Sequence, residues 1–476
     1  MRLKILIYMK NQSSKIEEII RNANKKFIEE DLTNFLKISS FTLNKEAIIE
    51  AKDFIISYIS DFCEDIKEIE GEINPLLLAK VKGKIKDYLL IYMMYDTQPV
   101  NKEKKWISNP FGAEVTQLSK PLDRLGNCLI ARGAYNSKTP LLCFLNVVKI
   151  LKEEKKLPIS LLLLFDGEEE LGSPTLLKLL ESRKDLFNSC LGAYYPSMKQ
   201  DLNGNSVLKL GYKGILSLTV KVTSTNEETH SAFSSMVPNP ALDLISLLST
   251  IYSKNKFNIN SLRNPYHMTS DEQSMIKDLM KKIDLENIKN KAGITQMLED
   301  DIKKSFVNYL FNPTFNISTL KSGYLEEGVK NMVANNAKCN IDIRFAHNIS
   351  ITDIYKEIRK NVTDFAKYSK SKIELIKNIG YERSKVKLDS ILVKSLIKSF
   401  DTLGISTHIW PISAAAAPLS KIQKELAIDF VVGGLGIGGF AHAPNEFIQI
   451  NSIVNTKLSN YFFLQNYAML YNKENN

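Results

Sequence analysis

The chain has 476 residues and a formal net charge of +10, from 63 Lys and Arg against 53 Asp and Glu, and it is 44% hydrophobic. This length allows two domains with sizeable cores. The scattered lysine excess does not form the basic stripe with interleaved aromatics that is typical of nucleic-acid binding, and no stretch approaches the roughly 18 apolar residues of a membrane span.

The first ten residues, MRLKILIYMK, have a basic start but an apolar run too short for the core of a signal peptide. The five cysteines, at positions 63, 128, 143, 190 and 339, are isolated and include no CxxC pair. Buried free thiols in a reducing compartment are the simplest interpretation, so we expect a cytoplasmic protein.

In chain order, residues 13–70 show apolar spacing close to the helical period, which predicts helices and turns. From about residue 76 to 212, helical segments such as 140–154 alternate with the short apolar runs LLLAKVKG, YLLIYMM and ISLLLLF. This alternation predicts an α/β fold with a mostly parallel central sheet and helices on both of its faces.

The pattern changes at Ile215. The segment LSLTVKVTS alternates with period two, which is typical of a half-exposed antiparallel strand. The similar segments KCNIDIRF and KIELIKNI each follow a helical stretch. We therefore expect a smaller α+β domain at residues 213–382, inserted into a first domain that is formed by residues 1–212 and 383–476.

The densest group of carboxylates directly follows the buried strand predicted at 159–165, in the sequence DGEEELGS at 166–173. Like charges this close repel one another unless a cation or a proton lies among them. The carboxyl edge of a parallel sheet is where α/β enzymes place their chemistry. We therefore interpret this turn as part of a site, with a solvated acidic surface turn as the alternative.

A glycine-rich segment, GGLGIGG, follows a second predicted buried strand at 428–432 and leads into FAHAPNE. The glycines match the dinucleotide pattern GxGxxG, which requires a helix to begin directly after them. Pro444 and the β-like run FIQI come instead. A flexible loop that delivers His442 into a cleft is therefore favoured over a nucleotide site.

The segments FDGEEELGS, HSAFSSMVPNPA and HAPNE together resemble the M20 family of metallopeptidases, most closely its carnosinase-like dipeptidase branch. Further segments agree with that family in order and spacing: LLIYMMYDTQP, WISNPF, ARGAYNSK and NIDIR. The resemblance covers nearly the whole chain. It implies a zinc-peptidase-like catalytic domain that is split around a ferredoxin-like lid domain, which also makes the dimer.

The resemblance implies a site for two zinc ions held by five side chains. Carried over position by position, the five positions are Met94, Asn136, Glu170, Ser197 and His442. Only Glu170 and His442 keep the family's residue types, since the others replace a histidine, a bridging aspartate and a second aspartate. Glu169 matches the catalytic general base, and Asp96 matches the residue that orients the lost histidine.

These replacements change the charge of the implied site. Zinc needs nitrogen, sulfur or anionic oxygen donors, and paired ions need a bridging anion, whereas two of the positions here offer a neutral amide and a neutral hydroxyl. A methionine thioether is a soft, weak donor. We therefore expect at most one weakly bound zinc or other divalent ion, held by His442, Glu170 and either Asn136 Oδ1 or Glu169, or no ion at all.

The resemblance also implies two substrate contacts. His230 would reach across the dimer to polarise the scissile carbonyl, and Arg344 would bind the substrate's carboxylate. In the structural alternative, His230 caps a turn and Arg344 pairs with a nearby carboxylate. Alanines at 414–417 replace a Gly-Gly-Ser loop of the family, and alanine tolerates a positive φ poorly, so either the loop has another shape or a substrate contact is lost.

Three functions are compatible with these residues. The chain is a metal-dependent hydrolase of dipeptides or aminoacyl amides, with Glu169 as general base and reduced or altered activity. Alternatively, it is a non-catalytic homologue that binds a small peptide or an N-acyl amino acid, or a partner subunit that lends His230 to an active paralogue. We expect a homodimer or such a heterodimer, with neither a nucleic-acid nor a membrane partner.

Overall fold

The computed structural model describes residues 14–101, 103, 105–417 and 420–475. The N-terminal run that was compared with a signal peptide therefore lies outside the described residues. The chain divides into two compact units. Unit 1 is formed by the chain up to Leu210, by Val386–Ile409 and by the chain from Ile422 onward, and unit 2 is formed by Gly211–Lys385 and Trp410–Lys421.

The expected insert, 213–382, begins and ends within a few residues of the long segment of unit 2. The short segment Trp410–Lys421 also belongs to unit 2, although the sequence placed it in the second part of the catalytic domain. Any role of unit 2 as a lid or in dimerisation stays a prediction.

Unit 1 is built on a mixed six-stranded sheet. Its strand order is Asp65–Ile69, Leu76–Val81, Ile159–Asp166, Ile85–Met94, Cys190–Pro196 and Phe430–Gly433. The last four strands pair in parallel, and each of the first two pairs antiparallel with the strand that follows it in this order. Every residue of Ile159–Asp166 is buried, as expected for an apolar strand that is covered on both faces. The predicted α/β fold is confirmed.

Helices surround this sheet, and a smaller sheet lies beside it in unit 1. The helices are 14–22, Asn24–Lys26, Phe27–Leu32 (a π-helix), Thr33–Lys37, Lys45–Ile59, Lys138–Glu153, Pro174–Ser182, Ile391–Thr402 and Ile453–Asn475, with 3₁₀ turns at Asp123–Leu125, Glu169–Leu171, Lys184–Phe187 and Ile450–Ser452. The smaller sheet contains Gly438–Gly439, Phe447–Gln449, Asn127–Ile130 and Glu114–Gln117. The remaining elements are Ser206–Lys209, Thr407–Trp410 and the helix Ser420–Leu426.

The glycine-rich segment after Phe430–Gly433 is a loop, because the next regular elements are short strands and no helix begins before Ile450. Gly434 and Gly436 have φ values of +132° and +135°, which L side chains rarely adopt. A Cβ on Gly434 would lie 2.3 Å from the carbonyl oxygen of Ser197. The glycines therefore allow the loop to pass close to the end of a central strand, and the dinucleotide alternative is wrong.

Unit 2 contains an antiparallel sheet. Its strand order is Thr314–Ser322, Asn336–Phe345, Gly211–Thr223 and Lys372–Tyr381, and the short strands Ser384–Lys385 and Ser413–Ala416 also pair with Gly211–Thr223. The antiparallel pairing that the sequence predicts for its three period-two segments is confirmed. The alanines of Ser413–Ala416 lie in an extended strand, a conformation that alanine adopts without strain.

The helices of unit 2 complete its core. They are the 3₁₀ turn Ser231–Phe233 and the helices Pro240–Ile251, Asn260–Arg263, Ser270–Lys282, Leu285–Lys291, Ile302–Phe311 and Ile351–Ala366, and two short strand pairs join Thr229–His230 to Met332–Val333 and Tyr252–Ser253 to Lys256–Phe257. Leu247 and Ile358 belong to the same buried cluster as Leu218 and Ile341 of the sheet. Among the helices in the described part of the chain, none combines the length and the apolar character that a bilayer span requires.

Candidate active site

Three consecutive glutamates follow the strand Ile159–Asp166, and the first of them has a structural role. Glu168 is fully buried, and its Oε1 accepts hydrogen bonds from the backbone N–H groups of Ile73 and Asn74 at 2.7 and 2.9 Å. Thr175 donates its hydroxyl to Oε1 and its N–H to Oε2, both at 3.0 Å. Four donors to one buried carboxylate satisfy its charge, so Glu168 fixes the turn in place.

Asp96 holds the backbone of the other two glutamates. Its Oδ1 accepts from the N–H of Glu169 at 3.2 Å, and its Oδ2 accepts from the N–H of Glu170 at 3.1 Å and from Thr42 Oγ1 at 2.8 Å. Burial is the main cause that raises the pKa of Asp96. From sequence, Asp96 was expected to lack the histidine that it would orient, because Met94 stands there. Its carboxylate has different partners in the structure, namely the backbone N–H groups of the acidic turn.

Glu170, Asn136 and His442 meet in one cluster, as their shared role in the family predicts. Asn136 Nδ2 lies 3.2 Å from Glu170 Oε1 and 3.1 Å from His442 Nε2, and these two acceptor atoms are 3.1 Å apart. Gln98 Nε2 donates to the second oxygen of Glu170 at 2.8 Å. The amide NH₂ of Asn136 therefore lies where it can donate one hydrogen bond to the carboxylate and one to the neutral imidazole.

The hydrogen bond with Glu170 raises the pKa of His442, against the opposing effect of burial. When the imidazole is protonated, its Nε2–H donates to Glu170, so the cluster has a partner for the carboxylate in either protonation state of the ring. The neutral amide of Asn136 and the positively charged imidazolium of His442 thus both lie at hydrogen-bond distance from Glu170.

Glu169, the expected general base, lies in a strongly acidic and buried environment. Burial raises the pKa of Glu169 well above its usual value, and the charges of Glu170, Asp96 and Asp166 raise it further. Lys199 opposes this shift, while its own burial lowers the pKa of Lys199 to about 8. A shift in this direction favours the protonated carboxyl, and a nearby cation would oppose it.

Met94 and Ser197, the other two replaced positions, lie at the ends of neighbouring strands of the central sheet. Met94 is 1% exposed, and its backbone pairs with that of Asp166. Ser197 is 8% exposed, and its N–H donates to the carbonyl of Gly433 at 2.8 Å. Both positions are therefore at the carboxyl edge of the sheet.

The donor set does not fit a dinuclear zinc centre. Among the described residues, no three His, Cys, Asp or Glu side chains are grouped so that they could hold a metal ion. The amide nitrogen of Asn136 faces Glu170 and His442, the two retained ligand positions, and an amide nitrogen is a hydrogen-bond donor with no lone pair for a metal. Coordination by Asn136 Oδ1 would require the amide to turn over and to lose both contacts.

Glu446 was missed by the sequence reasoning, although it lies four residues after His442. It is fully buried, and its carboxylate accepts from Arg132 Nη1 at 2.7 Å and from the backbone N–H groups of Gly133, Tyr135 and Asn136 at 3.2, 3.0 and 2.8 Å. It therefore positions the loop that carries Asn136. An acidic residue directly before the apolar run FIQI was the available signal, because a buried carboxylate needs a partner.

His230 and Arg344 both lie in unit 2 and both make the local contacts of the structural alternative. His230 Nδ1 accepts from the N–H of Ala232 at 3.2 Å and so caps the turn Ser231–Phe233. Arg344 Nε lies 3.6 Å from Asp342 Oδ1, with both side chains partly exposed. Capping uses only one ring nitrogen of His230, and a distance of 3.6 Å is a loose ion pair, so neither contact determines whether the residue also binds a substrate.

The geometry agrees with the comparison to known proteins. A family described as "Peptidase family M20/M25/M40" matches residues 90–458. The chain belongs to this family, as the sequence motifs indicated.

Relatives and solved structures agree. The chain is 24% identical to human Beta-Ala-His dipeptidase over 408 residues, which is 83% of this chain and 78% of that protein. It is 23% identical to Cys-Gly metallodipeptidase dug1 of Schizosaccharomyces pombe, covering 78% of this chain and 79% of that protein. The M20 family metallo-carboxypeptidase Sso-CP2 of Sulfolobus solfataricus superposes with a TM-score of 0.81 at 25% identity, over 93% of this chain and 99% of that one.

The fold is also that of human carnosine dipeptidase 1, with a TM-score of 0.75 at 19% identity, over 96% of this chain and 99% of that one. The dinuclear metal binding peptidase YXEP of Bacillus subtilis, another M20 member, matches with a TM-score of 0.56 at 12% identity, over 94% and 99%. Metal dependence is therefore typical of the family to which the chain belongs.

Replacing Glu446 by glutamine should destabilise the fold by about 3 kcal/mol. The change leaves Arg132 buried without a counter-ion, and it replaces one of the two acceptor oxygens by an NH₂ group that faces other donors. Urea unfolding measures the change. The exposed pair Arg183–Asp185, whose two contacts are both 2.9 Å, supplies the control Asp185→Asn, which should leave the midpoint nearly unchanged. Equal effects of the two changes would contradict a positioning role of Glu446.

Replacing Asp166 by asparagine should flatten the dependence of stability on pH. Burial raises the pKa of Asp166 from 3.8 to about 6, so between these values the native carboxyl keeps a proton that the unfolded chain has lost. Stability conferred by this group therefore falls as the pH rises through that window, by about 3 kcal/mol in all. Unfolding free energies measured across about pH 4 to 7 test this, and a variant whose stability falls as steeply as the parent's would disprove it.

Proposed function

We propose that this M20 family member binds a short peptide or an N-acyl amino acid without catalysing metal-dependent hydrolysis. The observation that carries the proposal is the position of the Asn136 amide nitrogen, 3.2 Å from Glu170 and 3.1 Å from His442. A neutral donor there satisfies both retained ligand side chains at once. The two retained side chains thereby share a donor that is not a cation.

The state of Glu169 supports the same proposal. A general base must lose its proton near the working pH, and burial with three neighbouring carboxylates raises the pKa of Glu169 well above its usual value. A pair of dications would reverse that shift and would also supply activated water. With an amide, a thioether and a hydroxyl at positions 136, 94 and 197, the chain lacks the anionic donors to hold such a pair.

The ligand class comes from the relatives and from the side chain of Arg344. The similar proteins are named for Beta-Ala-His and Cys-Gly dipeptides, and their ligands combine a free amine with a carboxylate. Arg344 is partly exposed, and a guanidinium is suited to bind a carboxylate through two parallel hydrogen bonds. Five free cysteines support a reducing compartment such as the cytoplasm as the place of action.

The decisive comparison is between the parent and the triple variant Met94→His, Asn136→Asp and Ser197→Asp. The parent should contain well under one zinc per chain by elemental analysis of protein purified without chelator. The triple variant should bind zinc and gain roughly 3 kcal/mol of stability at zinc concentrations about 100-fold above its dissociation constant. Without zinc it should be less stable than the parent, because the new carboxylates repel Glu169 and Glu170.

Measurements of peptide binding and of hydrolysis test the ligand class and the loss of catalysis separately. Calorimetry with β-alanyl-histidine and cysteinyl-glycine should detect binding to the parent, and Arg344→Ala should weaken it whereas the surface variant Arg183→Ala should not. Hydrolysis by the parent at a rate similar to that of the triple variant would refute the loss of catalysis. Absence of binding by both peptides and by their N-acyl analogues would refute the ligand class.

We also propose that unit 2 makes a dimer, through which His230 would act on a second chain, either a copy of this one or an active paralogue. Thr314–Ser322 is at one edge of the antiparallel sheet, and it exposes Ile317 and Leu320 by 43% and 53%. Exposed apolar edge strands are templates for pairing with another chain.

Leu320→Lys should therefore convert the dimer into a monomer, since a charged residue on an edge strand opposes pairing. Light scattering or sedimentation at micromolar concentration measures the mass. Leu298→Lys is the matched control, because Leu298 is 96% exposed and lies outside the strand. A parent that is monomeric at all these concentrations would count against the dimer and against any action of His230 in trans.

A further inference from the structure

A groove on unit 2 combines an apolar floor with a cationic rim. It has a volume of about 570 Å³ and lies between the helices Ser270–Lys282 and Ile302–Phe311. Its lining residues are Met268, Gln273, Ile276, Lys277, Met280, Lys281, Lys303, Lys304 and Val307. It is unrelated to the carboxylate cluster of unit 1, so the fate of the proposed function does not affect it.

The floor of the groove is continuous with a small core. Ile276 is buried together with Leu279, Phe306 and Leu310, and Met280 and Val307 pack against this cluster while staying partly exposed. Methionine side chains are flexible and polarisable, and they are common on surfaces that adapt to an apolar partner. The floor therefore offers a supported but incompletely covered apolar surface.

The lysines that form the rim of the groove lie at positions that destabilise unit 2. Lys277 and Lys281 are four residues apart on one helix, which brings like charges together. Lys303 and Lys304 lie in the first turn of the helix capped by Asp301, where the helix dipole disfavours cations. Lys304 forms a 2.7 Å ion pair with Glu299, and the other three lysines are in no salt bridge among the residues that the structure describes.

These features define the partner that would fit. A ligand must bring negative charges to two walls and apolar groups to the floor between them. An amphipathic helix with acidic residues on both sides of an apolar stripe has this pattern, and helices of this type bind in grooves through anchors at i, i+3, i+4 and i+7. Its acidic residues would relieve the repulsion between the lysines through charge-assisted hydrogen bonds.

We propose that the groove between Ser270–Lys282 and Ile302–Phe311 is a docking site for an acidic amphipathic helix of a partner protein. The apolar floor lies between lysines on the two helices, and this arrangement favours a helix over a bilayer surface. A bilayer contact needs apolar side chains that protrude beyond the charges.

Fluorescence anisotropy on the full chain tests the proposal with a labelled acidic peptide of about three to four helical turns. The peptide carries Leu at i, i+3, i+4 and i+7 and Glu elsewhere. Micromolar binding is expected, with at least a tenfold loss in Lys277→Glu/Lys281→Glu/Lys303→Glu and a similar loss in Met280→Asp. The control variant Lys356→Glu/Lys360→Glu reverses lysines on another helix of unit 2, Ile351–Ala366, and should bind as the parent does.

Further experiments distinguish the proposed helix from other occupants of the groove. A scrambled peptide of the same composition should bind at least tenfold more weakly, and equal binding would reduce the interaction to net charge and overturn the proposal. Absence of peptide binding by a folded parent would overturn it too. Binding of anionic vesicles that depends on the same lysines, in place of peptide binding, would assign the groove to a membrane. A salt-dependent dimer that Met280→Asp abolishes would assign it to a second copy of the chain.

Discussion

Crowding of buried carboxylates at the end of one central strand is the constraint around which the site is organised. Asp166 is the last residue of the strand Ile159–Asp166, and Glu168 and Glu169 follow it. Asp96 is held against the same turn by the hydrogen bonds that it accepts from the backbone N–H groups of Glu169 and Glu170. Each buried carboxylate must be neutralised, hydrogen-bonded or protonated. Hydrogen bonds and raised pKa values are the two solutions found at this turn.

Hydrogen bonding is the solution for Glu168, which accepts four donors and anchors the turn. Burial raises the pKa of Asp166 to about 6 and that of Glu169 well above its usual value, which favours the protonated form of each. For Glu170, the polar partners Gln98 and Asn136 share the carboxylate with His442. Among the described residues, the hydrogen-bond and ion-pair partners of Glu170 are therefore the side chains of Gln98, Asn136 and His442.

Much of the architecture could be predicted from the sequence because it depends on local patterns. The apolar run at 159–165 is continuous, so a strand buried on both faces follows from it, and LSLTVKVTS alternates, so a half-exposed antiparallel strand follows. The residues of the cluster were also predictable, since the motifs around Asn136, Glu170 and His442 align with the family. The different roles of the three glutamates were not predictable, because they depend on the direction in which each side chain points from the turn.

Two further features escaped the sequence for the same physical reason. Glu446 receives its donors from residues about three hundred positions away in the chain, and no local pattern reports such a pairing. The segment Trp410–Lys421 joins unit 2 because Ser413–Ala416 pairs with Gly211–Thr223, again a contact between distant residues. Sequence spacing identifies which residues carry chemistry, whereas their mutual orientation is fixed by loops that meet only in the fold.

The three replaced ligand positions make physical sense as a set. A dinuclear site is stable because anionic ligands and dications offset each other, so removal of the ions leaves the carboxylates to repel. Asn136 keeps nearly the shape of an aspartate but removes one charge and supplies an NH₂ that Glu170 and His442 can both use. Met94 and Ser197, at the ends of the neighbouring strands, add no charge. Under the proposed function, neutral groups at all three positions leave the remaining carboxylates to be satisfied by protons and hydrogen bonds.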